Sequence, residues 1–574
     1  MENKREMSQL DQQVNKLSDK VCTFLDGIPS FANGMTDDQY REDNRFPDLS
    51  LDALEKNEAS ASELLDEINA TRSAGQLRSR NLLVLDTAEY MLKYYVCPSF
   101  SPYSSKYYYL AFDVLPYTFP LSFAWTELSR LPFDTADKAA KHVEMASDYP
   151  RFTSSFLTKL EAQAKKGIYL SASAIDSAVS TLRSYAVDPK YHPMSMRGRG
   201  GEATPAQLDD EDAYYEQGRK NLLEAAAFLD DPYYRSKAPE SAGLCDYPGG
   251  EEYYRYLIRY QLNYDLDPED LHRQGLELLS SAVSRQDKIR RDLGFKGSHQ
   301  ELVESLRGDP RFFAPDCETA ERLLNSFIRK YTEALPKYFD HVVSAACRAE
   351  RLPVSMEEGM TFGYYSPPTE NLREGIYYFN GKDISNKCNL YAASLMAHEL
   401  NPGHHFLISW ILENRDMEPI LRKCMCNSTN EGWAEYASVF AGEIGLYTDI
   451  YDEYGRLEME KFTCSRMVAD TGLNAMGWSL KKASDFMVEN SFVNRAQADS
   501  EVLRYAANIP AQCLPYRYGS LKMLELRDRY RDRLGEDYDP KNFHSLVLNA
   551  GMVPMDALER YLYRETEGRD RRGK

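Results

Sequence analysis

The sequence is poor in cysteine and in positive charge. Its ten cysteines among 574 residues follow none of the regular spacings of a secreted disulfide framework, so we expect reduced thiols. Aspartate and glutamate outnumber lysine and arginine by 89 to 69, which leaves a formal net charge of -20. Because so acidic a surface repels phosphate backbones and anionic lipid headgroups, we expect no nucleic-acid partner and no membrane partner.

Long apolar runs are also lacking. The most apolar stretch, residues 107–125, is interrupted by Asp113, Pro116 and Pro120, which is typical of buried core rather than of a membrane span. The opening residues contain no apolar segment of the kind that defines a signal peptide. We therefore expect a cytoplasmic protein.

What the chain does contain is mostly helical pattern. Apolar residues recur at three- and four-residue spacing in many segments, for example in residues 10–28, 138–167 and 212–231. The pattern predicts a mainly α fold.

Two changes along the chain bear on its organisation. Residues 194–212 are rich in glycine and charge without a period, which predicts an exposed loop or linker. Near residue 240 a loop gives way to a new helical run. We divide the chain there into an N-terminal helical region, 1–240, and a C-terminal region, 241–574, and expect the two to form one continuous structural unit.

A strand pair is predicted shortly before the chemically richest segment. Two aromatic-rich runs, residues 360–365 and 375–380, flank a turn-rich stretch and favour an antiparallel pair. Its edge could hold a substrate backbone by strand addition, with Tyr377 as a candidate contact, or the pair could be a packed hairpin without such a role.

The segment MAHELNPGHHF, residues 396–406, holds three of the nine histidines beside a glutamate. His398 and Glu399 begin like the helical zinc motif H-E-x-x-H, but Pro402 stands where the second histidine belongs. On an unbroken helix His404 would lie about 9 Å along the axis and about 240° round from His398. Because a Pro-Gly pair interrupts a helix, a lengthened metal motif is one interpretation. A helix end lined with cationic histidines is the other.

A second segment, residues 427–445, favours the metal interpretation. It begins with polar capping residues and continues as a helix with Glu431 and Glu435 one turn apart. Catalytic zinc commonly has two histidines and one glutamate as protein ligands, and a second carboxylate can orient a ligating histidine. We therefore expect Glu431 as a ligand and Glu435 behind it.

Together, HELNPGHH and EGWAEYA resemble the bacterial domain-of-unknown-function family 885, whose pattern is H-E-x-x-P-G-H-H followed by E-G-W-A-x-Y. The resemblance is specific from about residue 360 to 565. It implies a large helical fold related to the zincin metallopeptidases, with a small β-hairpin or sheet beside the active-site helix and a deep cleft. Many members of that family are exported, and many carry histidine where this chain has Asn474.

The resemblance also implies a ligand set. Related helical oligopeptidases have glycine directly before the second histidine ligand, which matches Gly403 and His404. One Zn²⁺ per chain would then be held by His398, His404 and Glu431, with His405 as the alternative to His404. His405 would lie behind the ligands or face substrate.

The implied activity is that of a gluzincin-like zinc metallopeptidase acting on short peptides. Glu399 would serve as the general base. Tyr516, or else His544, would stabilise the oxyanion. Arg504 and Arg517 could hold a substrate carboxylate, although each could equally be a structural ion-pair partner.

Other interpretations remain open at this point. The same site could hydrolyse a non-peptide or isopeptide amide. A non-catalytic helical protein with structural zinc would need a fourth ligand, for which Cys424 or Cys426 is available. Arg466 and Asp470, four residues apart on a helical pattern, favour a structural pair. The oligomeric state is not indicated.

Overall fold

The structure, a computed structural model, describes residues 9–28, 46–96, 110–116, 118–129, 131, 133–354, 357, 363–369 and 373–570. The helices that precede the sheet are α1 (Gln9–Asp26), α2 (Leu51–Ser73), α3 (Ser79–Val96), α4 (Pro120–Leu128), α5 (Ala136–Ser147), α6 (Tyr149–Lys165), α7 (Ala172–Tyr185), α8 (Pro205–Asp230), α9 (Pro232–Lys237), α10 (Gly250–Leu262), α11 (Pro268–Asp292), α12 (His299–Ser305) and α13 (Cys317–Ala334). Those that follow it are α14 (Ala392–Glu399), α15 (His404–Glu413), α16 (Pro419–Lys423), α17 (Asn427–Glu443), α18 (Ile450–Asn474), α19 (Leu480–Asn490), α20 (Arg495–Leu503), α21 (Leu514–Leu534), α22 (Pro540–Ala550) and α23 (Met555–Asp570).

The sheet has strands β1 (Ala346–Arg351), β2 (Tyr364–Ser366) and β3 (Glu374–Phe379), in the order β1-β3-β2. β2 and β3 are antiparallel, so the predicted strand pair is confirmed where it is described, and residues 360–362 lie outside the described residues. β1 runs parallel to β3 and was not predicted. The mainly helical class with a small sheet is confirmed.

The prediction of an exposed loop over residues 194–212 is wrong in part. α8 begins at Pro205 because Thr204 and Gln207 form a capping box, each side chain accepting the other's backbone N–H. Met194 and Met196 are buried in the core. The exposed, glycine-rich part is therefore confined to the middle of the segment.

Hydrophobic clusters combine residues from both sides of residue 240. One cluster includes Phe152, Tyr215 and Leu473, and a second joins α1 and α3 to α15, α17 and α22. A third, smaller cluster packs α13 and β3 against α14. This third cluster supports the helix that contains His398. The division at residue 240 stays a prediction.

None of the helices in the described ranges combines the length and the apolarity needed to cross a membrane.

Candidate metal centre

The helix of the histidine segment is interrupted where the Pro-Gly pair predicts an interruption. α14 ends at Glu399 and α15 begins at His404, with a cis Asn401–Pro402 peptide between them. Gly403 permits a close backbone approach, since a Cβ there would lie 1.8 Å from the carbonyl oxygen of His398. The two extra residues of the motif are therefore accommodated by a break between two helices.

The break is held by hydrogen bonds from its surroundings. Trp433 Nε1 donates to the carbonyl oxygen of Pro402 at 2.8 Å, and Asn401 Nδ2 donates to Thr332 Oγ1 at 2.8 Å. Trp433 is fully buried on α17, two residues after Glu431. The tryptophan of the second motif therefore positions the break in the first.

Three potential ligand atoms converge across this break. Glu431 Oε2 lies 3.3 Å from His404 Nε2 and 3.7 Å from His398 Nε2. The three ligand atoms all lie within 4.8 Å of one another, and all three residues are buried. In the part of the chain that the structure describes, this is the one grouping of His, Cys, Asp or Glu side chains that could hold a metal ion.

The arrangement fits a zinc ion. Two ligands about 2.1 Å from a tetrahedral zinc are about 3.4 Å apart, close to the two distances measured from Glu431 Oε2. That oxygen is buried and makes no hydrogen bond of good geometry with any described residue. An orphaned buried carboxylate oxygen facing two imidazoles is costly without a cation between them. The donor set of two histidines and one glutamate is a common one for catalytic zinc.

Each histidine is oriented through its other ring nitrogen. Glu435 Oε1 lies 3.2 Å from His398 Nδ1, and Asn430 Oδ1 lies 3.0 Å from His404 Nδ1. When Nε2 of a histidine binds a metal ion, the ring proton is on Nδ1, which is the nitrogen that these two oxygens face. Sequence reasoning found Glu435 and missed Asn430, whose signal was its position one residue before Glu431.

The electrostatics suit a cation. Burial alone would lower the pKa of His398, but the nearby carboxylates, Glu435 foremost, raise it to about 9. Burial raises the pKa of Glu431, yet the two histidines outweigh it and hold that pKa below its usual range. The pKa of Glu399 is raised, chiefly by burial. The pKa of Glu399 is thus raised and that of Glu431 lowered, so Glu399 is the better proton acceptor of the two.

The cluster forms part of the wall of a cavity of about 540 Å³. Three of the residues singled out from the sequence, Glu399, Tyr377 and Arg504, line the same cavity. Tyr516 lines it too, with its ring parallel to that of His398 and the centroids 6.2 Å apart.

The place of Tyr516 depends on close packing of two helices. Gly432 on α17 and Gly519 on α21 touch backbone to backbone, since a Cβ on Gly432 would lie 2.8 Å from the Gly519 carbonyl carbon. Because the helices approach so closely, the first turn of α21 lies beside Glu431.

Comparison with known proteins now adds to this geometry. A family model described as "Bacterial protein of unknown function (DUF885)" matches residues 29–562. The chain belongs to this family. The family resemblance inferred from the two motifs is thus confirmed. None of the curated proteins matches the chain.

Two solved structures share the fold. A protein described as a "putative lipoprotein" from Colwellia psychrerythraea superposes with a TM-score of 0.83 at 23% identity, covering 98% of this chain and 100% of its own. A "putative lipoprotein of unknown function" from Shewanella oneidensis gives a TM-score of 0.69 at 14% identity, covering 96% of this chain and 99% of its own. At these identities the likeness is one of fold.

His405, the second histidine of the pair in this DUF885 member, does not face the ligand cluster. Its Nδ1 contacts the hydroxyl of Tyr365 at 3.0 Å, and its Nε2 contacts the carbonyl oxygen of Ala345 at 3.0 Å. Gly375 on β3 leaves room for the ring. His405 therefore ties α15 to the sheet, and Tyr365 links it to the cavity wall.

Two predicted site residues lie elsewhere. His544 is fully buried against Phe339, and its ring nitrogens contact the Tyr436 hydroxyl at 2.8 Å and the Tyr338 carbonyl at 2.9 Å. It does not line the cavity, so its predicted part in oxyanion stabilisation has no support in the geometry.

Arg517 is likewise absent from the cavity wall. It is buried and pairs with Glu460, Nη2 to Oε1 at 2.7 Å, which is the structural alternative foreseen for it. Asn474 is buried as well, donating to the carbonyl oxygens of Asp470 and Tyr505, and it does not line the cavity.

The predicted Arg466–Asp470 pair is wrong. Arg466 Nε donates to the Tyr505 hydroxyl at 2.8 Å and lies 3.5 Å from Glu501 Oε2. Asp470 instead accepts from the hydroxyl of Tyr254 and from the backbone of the loop before α21. Arg466 lines the cavity, a placement that the four-residue spacing concealed.

Cys424 and Cys426 are free and buried. Cys426 Sγ lies 3.2 Å from Asn263 Oδ1, and neither thiol belongs to the metal-ligand grouping of the described residues. The geometry does not support a structural zinc on this pair.

Proposed function

We propose that the protein is a zinc-dependent hydrolase of peptide bonds in short peptides. It would be a helical, zincin-like metallopeptidase whose catalytic cleft is the cavity described above. One observation supports this above all. His398, His404 and Glu431 converge on one point of the cavity wall, and Glu399, adjacent in sequence to a ligand, lines the same cavity.

The three converging residues would hold the ion, and Glu435 and Asn430 would keep the imidazoles aligned. A zinc ion bound there would supply Lewis-acid chemistry, polarising a carbonyl oxygen and acidifying a water molecule. Glu399 would take the proton of the attacking water and deliver it to the leaving nitrogen as the amide bond breaks. Its raised pKa brings it closer to the range in which a carboxylate both accepts and returns a proton.

Tyr516 would donate a hydrogen bond to the oxyanion. Its ring lies parallel to that of His398, with the two ring centroids 6.2 Å apart, and it lines the same cavity. Burial, with Glu431 next in effect, raises the pKa of Tyr516, so the hydroxyl keeps its proton at neutral pH and remains a donor.

A catalytic ion explains the site better than a structural one. Structural zinc sites are closed by four protein ligands, whereas the described residues supply three, beside a cavity that admits water. A site of three ligands with a carboxylate base at hand is the pattern of a hydrolase.

The test combines elemental analysis with an assay of a mixed dipeptide and oligopeptide pool. We expect one zinc per chain in the wild type, retained in Glu399→Gln while hydrolysis is lost. His404→Ala should lose zinc. His405→Ala is the matched control, because it removes a neighbouring buried imidazole that does not face Glu431.

A wild-type protein that holds no metal after zinc is supplied would refute the proposal. Zinc that survives His404→Ala but not His405→Ala would refute the ligand set. Stoichiometric zinc without cleavage of any peptide would redirect the search to other amides.

A further inference from the structure

The cavity has a second chemically distinct wall, formed by Arg466. This residue is 6% exposed, and its side chain reaches the cavity from the C-terminal half of α18. Its Nε is occupied by Tyr505, but neither Nη atom donates a hydrogen bond to any described residue. A buried guanidinium whose two-pronged end faces a cavity lacks the acceptors that would offset its desolvation.

The charge around Arg466 is not balanced by the protein. Glu501 is its one ion-pair partner among the described residues, at 3.5 Å. Glu501 also pairs with Arg504, Nη1 to Oε1 at 3.3 Å, and Arg504 lines the same cavity. Arg466 therefore shares its one described carboxylate partner with a second guanidinium group.

Arg466 lies within reach of the ligand cluster. Its guanidinium carbon is 4.4 Å from the ring centroid of Tyr516, which is itself 6.2 Å from that of His398. The distance from the guanidinium carbon of Arg466 to the centre of the His398 ring is therefore at most the sum of these two distances. An extended residue spans about 3.5 Å and an arginine–carboxylate hydrogen bond about 2.8 Å, so the gap holds at most about two residues.

The space next to Arg466 is apolar. The guanidinium carbon lies 5.2 Å from the ring centroid of Phe462. Phe462 packs against Phe492, which stacks on Tyr391, and all three aromatic rings line the cavity. A large apolar side chain fits this wall.

We propose that Arg466 binds the C-terminal carboxylate of a short peptide, so that the enzyme removes a large apolar residue from the C-terminus. This inference rests on the peptidase function proposed above. A planar guanidinium presents two parallel donors that match a carboxylate, whereas an internal peptide segment offers it only neutral carbonyls. Water is consumed, the last amide bond is broken, its carbonyl becomes the new terminal carboxylate, and its nitrogen leaves as the amine of a free amino acid.

The test uses one tripeptide, alanyl-alanyl-phenylalanine, as the free acid and as the C-terminal amide. For the zinc-supplied wild type we expect kcat/KM to be on the order of 100-fold higher for the acid, with phenylalanine as a product. Arg466→Met should bring the ratio of kcat/KM for the acid to kcat/KM for the amide close to one. Arg466→Lys should lower this ratio to roughly 10. A variant that is merely less stable lowers both rates and leaves the ratio unchanged.

Arg495→Gln is the control, because Arg495 is an exposed arginine on α20 that does not line the cavity. Its ratio should equal that of the wild type. Calorimetric binding of both tripeptides to the wild type and to Arg466→Met gives a second readout that needs no turnover. There the acid should bind more tightly than the amide only when Arg466 is present.

If the acid and the amide are both cleaved with kcat/KM values that differ by less than about twofold, the carboxylate site is refuted and the peptidase proposal is not. No cleavage of either form, with selective binding of the acid that Arg466→Met abolishes, would support the carboxylate site and count against the peptidase. Equal binding of acid and amide, or no binding of either, without cleavage would overturn the inference.

Discussion

Removing the side-chain amide of Asn430 should weaken zinc binding without altering any ligand. Asn430 Oδ1 lies 3.0 Å from His404 Nδ1 and so keeps the ring proton on that nitrogen. A neutral hydrogen bond contributes about 0.5–1.5 kcal/mol, and partners behind a metal ligand typically change affinity by about 10–100-fold. We expect the zinc Kd of Asn430→Ala to rise about 10-fold, or about 1.4 kcal/mol.

The assay is a competition titration against a chromophoric chelator at fixed pH, with circular dichroism to confirm folding. Asn430→Asp keeps an acceptor and should bind zinc at least as tightly as the wild type. Asn427→Ala, three residues earlier on α17 and donating to Gln261 instead, is the matched control and should bind normally. The reasoning is refuted if Asn430→Ala binds within twofold of wild type, or if Asn427→Ala loses as much.

Three further changes test other parts of the structure. His544 has a pKa lowered by burial to about 4, so the folded protein keeps it neutral where the unfolded chain takes up a proton. Stability should therefore fall by about 3 kcal/mol as the pH drops from 7.5 to 4, and His544→Gln should lack this loss in denaturant unfolding at both pH values. In Gly403→Ala the added Cβ would collide with the His398 carbonyl oxygen. We expect the free energy of unfolding to fall by about 3 kcal/mol in the unfolding assay and zinc binding to be lost in the chelator assay. Trp433→Phe leaves the Pro402 carbonyl without its donor, which should cost about 1–3 kcal/mol and weaken zinc binding in the same assays.

Matched controls separate these effects from general damage. Gly308→Ala adds a methyl group where no atom lies within 4 Å and should be neutral. Trp410→Phe removes a comparable indole hydrogen bond, to Asn549, and should reduce stability with zinc affinity unchanged. Parallel stability profiles of wild type and His544→Gln across the pH range would contradict the assignment to that histidine.

The helices and the His/His/Glu cluster were predictable because each depends on residues that lie close together in the sequence. Apolar periodicity marks α1 and the part of α8 from residue 212 onward, and the proposed ligands come from two short motifs, with His404 and Glu431 27 residues apart. The strand pair was predictable for the same reason. β1 was not, because its parallel pairing with β3 depends on residues that lie about 28 positions away without a turn signal between them.

The side chains around the cluster were the weaker part of the prediction. His544 and Arg517 lie in segments that carry the family resemblance, but their partners, Tyr338 and Glu460, are distant in sequence. Arg466 was assigned to Asp470 by helical spacing, whereas the packing of α20 against its surroundings supplies Glu501 instead. Pairwise spacing on one helix cannot show which neighbouring element provides the closer charge.

The most informative feature of the sequence was a local conflict. A proline and a glycine interrupt a buried apolar segment that otherwise favours a continuous helix, and interrupting a helix leaves backbone groups without partners. Here Trp433 satisfies the Pro402 carbonyl, and it comes from the same helix that supplies Glu431. The helix that stabilises the break is therefore also the one that supplies the proposed acidic ligand. A change that closes the break should thus disturb both histidines relative to Glu431, which links the stability of this turn to the geometry of the proposed metal site.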